Sequence, residues 1–250
     1  MKNLIIKLFG LISLIFFSDP PSFDRFVWLK AHLKSGSFRT LDAGCGSGTF
    51  TLYAAKVGNE ALGISFDKRN NIVAQERAKL LGIQNVNFIE WDLRNLSQLS
   101  NDIGLFDQII CFETIEHIME DRKLTSALSK LLNVGGRILL TAPYKYYNHL
   151  FTDHLSEYED GGHVRWGYTH KEIGDIFADA GLDLEVKEYI SGFFSQQICN
   201  LQRILSFVFG EFLSWLIVFP LRLLQSIDAP VTKLLNYPYL SIAVIGIKKK

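Results

Sequence analysis

The stretch best suited to chemistry is TLDAGCGSGTF at residues 40–50, where three glycines alternate behind a short apolar run. Glycines at a strand-to-helix turn let the backbone approach a ligand closely, and a helix N-terminus offers free N–H donors. Gly48 comes one position too early for a GxGxxG dinucleotide loop, and no GK[ST] phosphate motif is present. Asp42 precedes the glycines and would repel a pyrophosphate but attract an ammonium group. The pattern therefore predicts a ligand with an amino-acid end.

The elements that must position this stretch alternate along the chain. Short apolar runs alternate with helical stretches from residue 40 to residue 143, which is typical of βα units around a parallel sheet. Strands are predicted at 39–43, 60–65, 86–91, 106–112, 137–143, 183–190 and 240–248. Helices are predicted at about 48–57, 69–82 and 121–133. Thr169 and Glu172 form a capping box for another helix.

With Asp42 placed before the glycines, residues 39–145 resemble class I S-adenosylmethionine-dependent methyltransferases of the small-molecule type. The resemblance extends more loosely to the last strand. It implies an α/β, Rossmann-like, doubly wound sheet of seven strands, mostly parallel with an antiparallel C-terminal strand. It also implies S-adenosylmethionine as methyl donor and S-adenosylhomocysteine as product. A nicotinamide oxidoreductase is disfavoured by the glycine spacing.

The resemblance assigns the methionine end of the cofactor to the first loop. Asp42, Gly44 and Gly46 would surround the methionine moiety, with Cys45 as a small filler because no paired base is evident from the sequence. Phe112 and Glu113 match the floor of the same pocket, and TIEHI at 114–118 resembles the segment that follows the fourth strand in this family. The full set of predicted cofactor contacts is Asp42, Gly44, Cys45, Gly46, Ser65, Phe66, Asp67, Asp92, Leu93, Phe112 and Glu113.

The nucleoside end shows one departure from the family pattern. Asp92 matches the acid that accepts from the adenine amino group, with Leu93 beside it as a wall for the ring. The family usually ends its second strand with an acid that binds both ribose hydroxyls, and Ser65 stands there instead. Asp67 or a residue of the following helix is therefore expected to assist.

The acceptor site is expected in the polar loop after the fifth strand. Methyl transfer from a sulfonium mainly requires alignment and exclusion of water, but a hydroxyl acceptor also requires a base, for which His is suited near neutral pH. His154 and His163 are the predicted catalytic residues. Tyr144, Arg165 and His117 are predicted to contact the acceptor. The alternative interpretation is that these residues only hold the loop onto the next helix.

Composition narrows the possible partners. The chain has 26 basic and 26 acidic residues, and no basic, aromatic-rich stretch indicates nucleic-acid binding. Residues 1–40 and residues 193–250 each contain six basic and two acidic residues. The chain therefore has two basic, apolar flanks on either side of an acidic central segment. The three cysteines form no CxxC pair, which indicates neither a disulfide framework nor a structural zinc site. No metal is predicted, and a cytoplasmic location is expected.

Four segments are predicted: a helical cap at 1–38, a cofactor-binding core at 39–192, an apolar helical insertion at 193–239, and a final strand with a basic tail at 240–250. The cap begins with an expected amphipathic helix at 4–17, whose polar stripe would hold Asn3, Lys7, Gly10 and Ser13. Pro220 is expected to break the helix of the insertion.

The two apolar flanks allow three hypotheses: they cap a hydrophobic acceptor, dock on the cytoplasmic membrane face through Trp215, Phe212 and Phe219, or pack as ordinary core. A full membrane span is less favoured because Glu211, Pro220 and Arg222 interrupt it. The sequence leaves the oligomeric state open.

The expected activity is O-methylation of a small, apolar acceptor in secondary-metabolite, lipid or glycan-linked metabolism. N- or C-methylation is the alternative within the same class. A non-catalytic subunit of the same fold, which regulates or scaffolds a partner, is the alternative from another class.

Overall fold

A seven-stranded mixed sheet forms the centre of the protein, whose computed structural model describes residues 2–148 and 154–249. Its strands are β1 (Arg39–Ala43), β2 (Glu60–Ser65), β3 (Val86–Glu90), β4 (Phe106–Phe112), β5 (Leu132–Pro143), β6 (Leu182–Ile190) and β7 (Ser241–Lys248). The spatial order is β3-β2-β1-β4-β5-β7-β6, with β7 antiparallel to both β5 and β6. The predicted fold class is confirmed. The largest error in strand bounds is at β5, which begins five residues earlier than expected.

Helices cover both faces of the sheet. They are α1 (Lys2–Phe9), α2 (Ile12–Phe16), α3 (Pro20–His32), α4 (Thr49–Lys56), α5 (Lys68–Leu81), α6 (Leu96–Ile103), α7 (Asp121–Lys130), α8 (His170–Asp179), α9 (Phe193–Val218) and α10 (Asp228–Leu234). The predicted capping box at Thr169 and Glu172 is confirmed at the start of α8, where both reciprocal hydrogen bonds are present. This box sets the direction in which the chain leaves the loop after β5.

The strand order places a binding crevice at the end of β1. The chain moves outward from β1 through β2 to β3 and then returns to the other side of β1 with β4, so the winding reverses between β1 and β4. Parallel strands of this arrangement bind ligands beyond their carboxyl ends at such a reversal. Asp42 of β1 lies in register with Gly63 on one side and Ile110 on the other. The loops after these strands therefore meet at one place.

The N-terminal segment differs from the expected single helix at 4–17. Gly10 adopts a left-handed backbone conformation with φ of +63°, which ends α1 and starts α2 in a new direction. Ser13 is buried and donates to the Gly10 carbonyl (2.7 Å), so it does not belong to an exposed polar stripe. The side chain of Asn3 lies outside the described residues. The prediction of one continuous amphipathic helix is wrong because a local glycine turn interrupts it.

The insertion after β6 is helical, as predicted, but it is not straight. Gly210 kinks α9 with φ of +74°, and a 3₁₀ helix, Phe219–Ile227, follows where Pro220 ends the α-helix. The expected break at Pro220 is confirmed. The indole of Trp215 stacks on Phe17 with ring centroids 4.4 Å apart. The insertion therefore packs on the N-terminal helices, and the two apolar flanks form one helical layer.

Candidate functional site

The first loop requires glycine for two different reasons. At Gly44, φ is +87° and a Cβ atom would lie 2.2 Å from Oγ1 of Thr114, so a side chain cannot fit without movement. Gly46 also has a left-handed φ of +49°, but a Cβ there would meet nothing within 4 Å. Gly46 borders two cavities, which leaves its backbone open to a ligand. The loop is thus closely packed on one side and accessible on the other.

Two cavities meet at this loop, and both are lined by Gly44 and Gly46. The smaller, of about 150 Å³, is lined by Asp42 and Phe112 of the sheet and covered by Ser22 and other residues of the N-terminal helices. The larger, of about 260 Å³, extends past the ends of β2, β3 and β4. An elongated ligand with an amino-acid end and a nucleoside end would fit this pair of spaces. The N-terminal segment therefore covers the amino-acid end.

Asp42 is the buried charge of the smaller cavity. Its carboxylate accepts a hydrogen bond from Oγ1 of Thr51 (2.6 Å). Burial raises the pKa of Asp42 to about 7, an effect that the bonds from Thr51 partly offset. Burial also raises the pKa of the Cys45 thiol, which lines the same cavity as a neutral group. An ammonium group at this place would be the positive partner that the buried Asp42 carboxylate lacks among the described residues.

At the expected ribose position, the cavity lining favours the second of the two expected alternatives, a residue of the helix after β2. Ser65 and Phe66 line the larger cavity as predicted. Asp67 does not line it; instead its carboxylate caps α5 by accepting from the backbone N–H of Arg69 (2.8 Å) and pairs with the Arg69 guanidinium. Asn70, in the first turn of α5, lines the cavity in its place. A carboxamide both donates and accepts, so Asn70 suits a pair of hydroxyl groups.

Asp92 and Leu93 line the larger cavity at the end of β3. Nε of Arg94 donates to the Asp92 carboxylate (2.8 Å), and these bonds hold the pKa of Asp92 below its usual value. Arg94 also pairs with Glu159 (3.2 Å), which comes from the loop after β5 and accepts from the backbone N–H of Met119 (2.6 Å). Arg94 and Glu159 were not predicted. This ion pair joins two residues that are 65 positions apart in the sequence, and it closes one side of the cavity.

The floor between the cavities is formed by Phe112 and Glu113. The Phe112 ring packs edge-on against Phe50 at 5.2 Å between centroids. Glu113 lines the larger cavity and has a left-handed backbone with φ of +45°, which is strained for a residue with a side chain. Its carboxylate lies 3.4 Å from the guanidinium of Arg25, an N-terminal residue that was not predicted. Such strain is typical of functional positions.

The residues predicted to contact the acceptor or to act as its base lie in different places in the structure. His117 lines the larger cavity, and its ring lies perpendicular to that of His163 at 4.7 Å between centroids. Tyr144 packs edge-on against Tyr189 (5.1 Å). His154 is exposed, and residues 149–153 lie outside the described residues. Among the predicted bases, His163 packs against His117, which lines the cavity, but His163 is not itself part of the lining in the described ranges 2–148 and 154–249.

Arg165 holds the loop. Its guanidinium donates to the carbonyls of Ile118 (2.7 Å) and Met119 (2.9 Å) and pairs with Asp121 at the start of α7. The Tyr168 hydroxyl donates to the same carboxylate (2.9 Å). These contacts favour the alternative interpretation for Arg165, in which it fastens the loop and does not face the acceptor.

The site consists of a buried acid near the end of β1 with two glycines after that strand, an acid after β3 and a strained residue after β4. On a sheet of this order, these features are those of a class I S-adenosylmethionine-dependent methyltransferase. The family model described as "Methyltransferase domain" matches residues 34–181, which is more than half of the chain. The protein therefore belongs to this family, and its cofactor is S-adenosylmethionine.

Sequence identity to individual known proteins is low. The ubiquinone biosynthesis O-methyltransferase of Xanthomonas axonopodis pv. citri is 26% identical over 118 residues, which are 47% of this chain and 48% of that protein. The chain thus spans about half the length of the curated relatives it matches. Among solved structures, a Mesorhizobium loti S-adenosylmethionine-dependent methyltransferase has a TM-score of 0.60 at 14% identity, covering 89% of this chain and 97% of that one. Coclaurine N-methyltransferase, bound to N-methylheliamine and S-adenosylhomocysteine, has a TM-score of 0.59 at 13% identity, with 96% and 73% covered.

Proposed function

We propose that this protein transfers a methyl group from S-adenosylmethionine to a hydroxyl oxygen of a small, apolar acceptor. The observation that carries the proposal is the imidazole of His117 in the wall of the larger cofactor cavity, with the imidazole of His163 packed against it. A hydroxyl is a weak nucleophile until its proton is removed, and imidazole is suited to this task near neutral pH. A neutral amine acceptor already has a nucleophilic lone pair and would not need a base to remove a proton before the transfer. Two adjacent imidazoles at this place therefore favour oxygen.

The acceptor class rests on a second argument. Curated relatives that match about half of this chain are named ubiquinone biosynthesis O-methyltransferases, which supports an oxygen acceptor. The N-terminal helices that cover the cofactor site present apolar side chains on the side facing it, among them Leu14 and Ile15, so an acceptor that enters beside these helices would meet an apolar surface. We therefore place the acceptor among phenolic or lipid-like hydroxyl compounds. Transfer to nitrogen or carbon is the alternative.

The residues of this chain would divide the work as follows. Asp42 binds the ammonium of the donor, Asn70 and Ser65 face its ribose, and Asp92 faces its adenine. The bound cofactor supplies a methyl group already activated on a sulfonium. The helices of the N-terminal cap and the Glu159 loop exclude water, and His163 receives the proton of the acceptor hydroxyl.

The test has a binding arm and a product arm. Calorimetry with S-adenosylhomocysteine should detect binding to the full chain and a large loss in Asp42→Ala. Incubation with methyl-labelled cofactor and a fractionated cell extract, followed by mass spectrometry, should yield an O-methylated product. Labelled products that are exclusively N- or C-methylated would refute the oxygen assignment. Absence of cofactor binding by the native chain would refute the enzyme proposal.

We also propose that the protein docks peripherally on the cytoplasmic face of an anionic membrane. The segment Phe193–Leu234 is long and apolar enough by composition to cross a membrane, and only 11% of its most apolar 18-residue window is buried. The side chain of Phe207 is 84% exposed. The kink at Gly210 and the bond from Arg222 to the carbonyl of Phe16 (2.5 Å) argue against a straight span. The basic excess of both flanks suits anionic head groups.

Flotation with vesicles tests this docking. The purified full chain should float with vesicles that contain anionic lipid at low salt, float less with neutral vesicles, and be released by high salt. No flotation with anionic vesicles at low salt would refute the proposal. Retention after high salt and alkaline carbonate would indicate an integral span instead.

A further inference from the structure

The turn after β4 and the loop after β5 bring together a carboxylate and two imidazoles. Ligand atoms of Glu116, His117 and His163 all lie within 4.8 Å of one another. Glu116 and His117 belong to the 3₁₀ turn Ile115–His117, and His163 comes from a point 46 residues further along the chain. A carboxylate with two imidazoles is a donor set that proteins use to bind divalent transition metals and leave coordination positions open.

Glu116 is the group that ordinary packing does not explain. It is 0% exposed, and neither of its carboxylate oxygens has a hydrogen-bond partner among residues 2–148 and 154–249. Burial raises the pKa of Glu116 well above its usual value, and the nearby Glu113 carboxylate raises it further, while Arg25 and Arg165 act in the opposite direction. A buried carboxylate without partners is costly unless it is protonated or neutralised by a cation.

His117 has the orientation of a metal ligand. Its Nδ1 lies 3.0 Å from the carbonyl oxygen of Gly162, and because a carbonyl only accepts, Nδ1 carries the proton of this bond. In neutral His117 the lone pair of Nε2 is then free, and Nε2 lies 3.8 Å from Oε1 of Glu116. Two acceptor atoms at this separation repel each other unless one of them is protonated or a cation lies between them. Metal-binding histidines commonly donate their other N–H to a backbone carbonyl in this way.

The backbone holds the cluster in place. The N–H of Val164 donates to the carbonyl of Glu116 (3.0 Å), which fastens the residue next to His163 onto the turn that carries the other two ligands. Arg165 adds its bonds to Ile118 and Met119. The three side chains are therefore brought together by main-chain contacts and not by chance packing of mobile surface groups.

We propose that Glu116, His117 and His163 form a binding site for one divalent transition-metal ion at the wall of the cofactor cavity. This replaces the expectation of no metal, which depended on the cysteine pattern alone. Imidazole nitrogen favours Zn²⁺ over Mg²⁺, which prefers oxygen ligands in an octahedral arrangement. Mn²⁺ lies between these two ions, because it suits carboxylate oxygen and also accepts imidazole.

The site also specifies the acceptor, an extension that rests on the proposed O-methylation. His117 borders the cavity, so an open coordination position there could bind the acceptor oxygen. A cation favours loss of the hydroxyl proton to solvent near neutral pH. The oxygen lone pair then forms the bond to the methyl carbon, the carbon–sulfur bond breaks, and its electron pair stays on sulfur. His163 would in this case position the acceptor through the metal instead of acting as the base.

Metal binding to the full chain tests the site directly. After treatment with a chelator and its removal, Zn²⁺ and Mn²⁺ should each bind with 1:1 stoichiometry in calorimetry and raise the melting temperature, and Mg²⁺ should bind at least about 10-fold more weakly. Glu116→Gln and His163→Asn should weaken Mn²⁺ binding at least about 100-fold, because loss of outer partners alone costs 10- to 100-fold. His170→Gln, which removes an imidazole from α8, should leave it unchanged.

Two results would overturn the site: no binding of Zn²⁺ or Mn²⁺ by the folded native chain, or equal binding by Glu116→Gln and His163→Asn. Circular dichroism establishes that each variant is folded, and His163→Asn serves where Glu116→Gln does not fold. Calorimetry with S-adenosylhomocysteine in the presence of chelator separates the two proposals. Cofactor binding without metal binding refutes only the metal site, and metal binding without cofactor binding refutes only the proposed function.

Discussion

The cofactor edge of the sheet and the helical layer formed by the two flanks differ in how they are stabilised. At the edge, charged and polar groups are buried within the fold, as Asp42 is beside Thr51, and Gly44 leaves no room for a side chain. In the helical layer, large apolar side chains such as Phe207 and Leu223 face outward, and α9 is kinked at Gly210. One region is a rigid pocket formed within the fold, and the other presents an apolar surface without a partner among the described residues.

This difference separates two roles within one chain. A preorganised site loses binding when a single atom is added or a single charge is removed, because its groups cannot rearrange cheaply. An exposed apolar face tolerates such changes in solution, since the altered side chain makes few contacts that hold the fold together. Substitutions should therefore produce large effects at the edge of the sheet and small effects on folding in the helical layer.

Gly44→Ala should give the largest effect. A Cβ atom would lie 2.2 Å from Oγ1 of Thr114 in a left-handed conformation. Strain and overpacking each contribute about 1–3 kcal/mol, so the free energy of unfolding should fall by about 2–6 kcal/mol in urea titrations. Gly46→Ala is the matched control, because its Cβ has open space and should cost only about 1–2 kcal/mol from the left-handed backbone. Equal losses in both variants would contradict the steric argument.

Asp42→Asn should weaken S-adenosylhomocysteine binding by about 100-fold, because the ammonium of the ligand loses its buried partner. The native protein should also show a pH dependence that the variant lacks. The pKa of Asp42 is raised to about 7 by burial, so below pH 7 the free protein carries a protonated, neutral Asp42. Affinity should therefore rise by about 10-fold from pH 6 to pH 8 and then level off. A flat native profile in calorimetry would show that Asp42 does not bind the ammonium.

Local patterns explain what the sequence predicted well. The bounds of β1, β2 and β4 follow from apolar runs that glycines and polar residues interrupt, and the structure reproduces these bounds. Asp42, Gly44 and Gly46 are neighbours in sequence, so their spacing alone indicated the ligand. The capping box at Thr169 and Glu172 is likewise contained within one turn of helix.

Contacts between distant segments explain what the sequence did not show. Glu159 meets Arg94 only because the loop after β5 folds across the end of β3, and Arg25 reaches Glu113 only because α3 lies over the sheet. The periodicity of apolar residues in a sequence does not indicate contacts between segments so far apart. The cluster at Glu116 is similar, since its third member lies in a separate loop. By contrast, the role of Gly10 was available from a local glycine signal, but the apolar pattern on both sides concealed it.

Arg94→Gln should have a moderate effect confined to the cofactor. Arg94 bonds to Asp92 and Glu159 from a partly exposed position, so its loss should change the free energy of unfolding by less than about 1 kcal/mol. S-adenosylhomocysteine affinity should fall about 3- to 10-fold, because Asp92 and the Glu159 loop are no longer held at the cavity. Arg69→Gln is the matched control, since Arg69 makes the same pairing with an N-cap aspartate outside the cavity. Comparable losses of affinity in the two variants would refute this role.

Phe207→Ser, in the helical layer, should have the smallest effect on folding, in contrast to the substitutions at the cofactor edge of the sheet. The ring is 84% exposed, so the free energy of unfolding should change by no more than about 0.5 kcal/mol in urea titrations without lipid. Flotation with anionic vesicles should nevertheless decrease, because the apolar area that would enter the bilayer is reduced. A loss above about 2 kcal/mol in solution would mean that this face of α9 is covered in the free protein. The helical layer would then be a packed interface and not an exposed surface available for membrane binding.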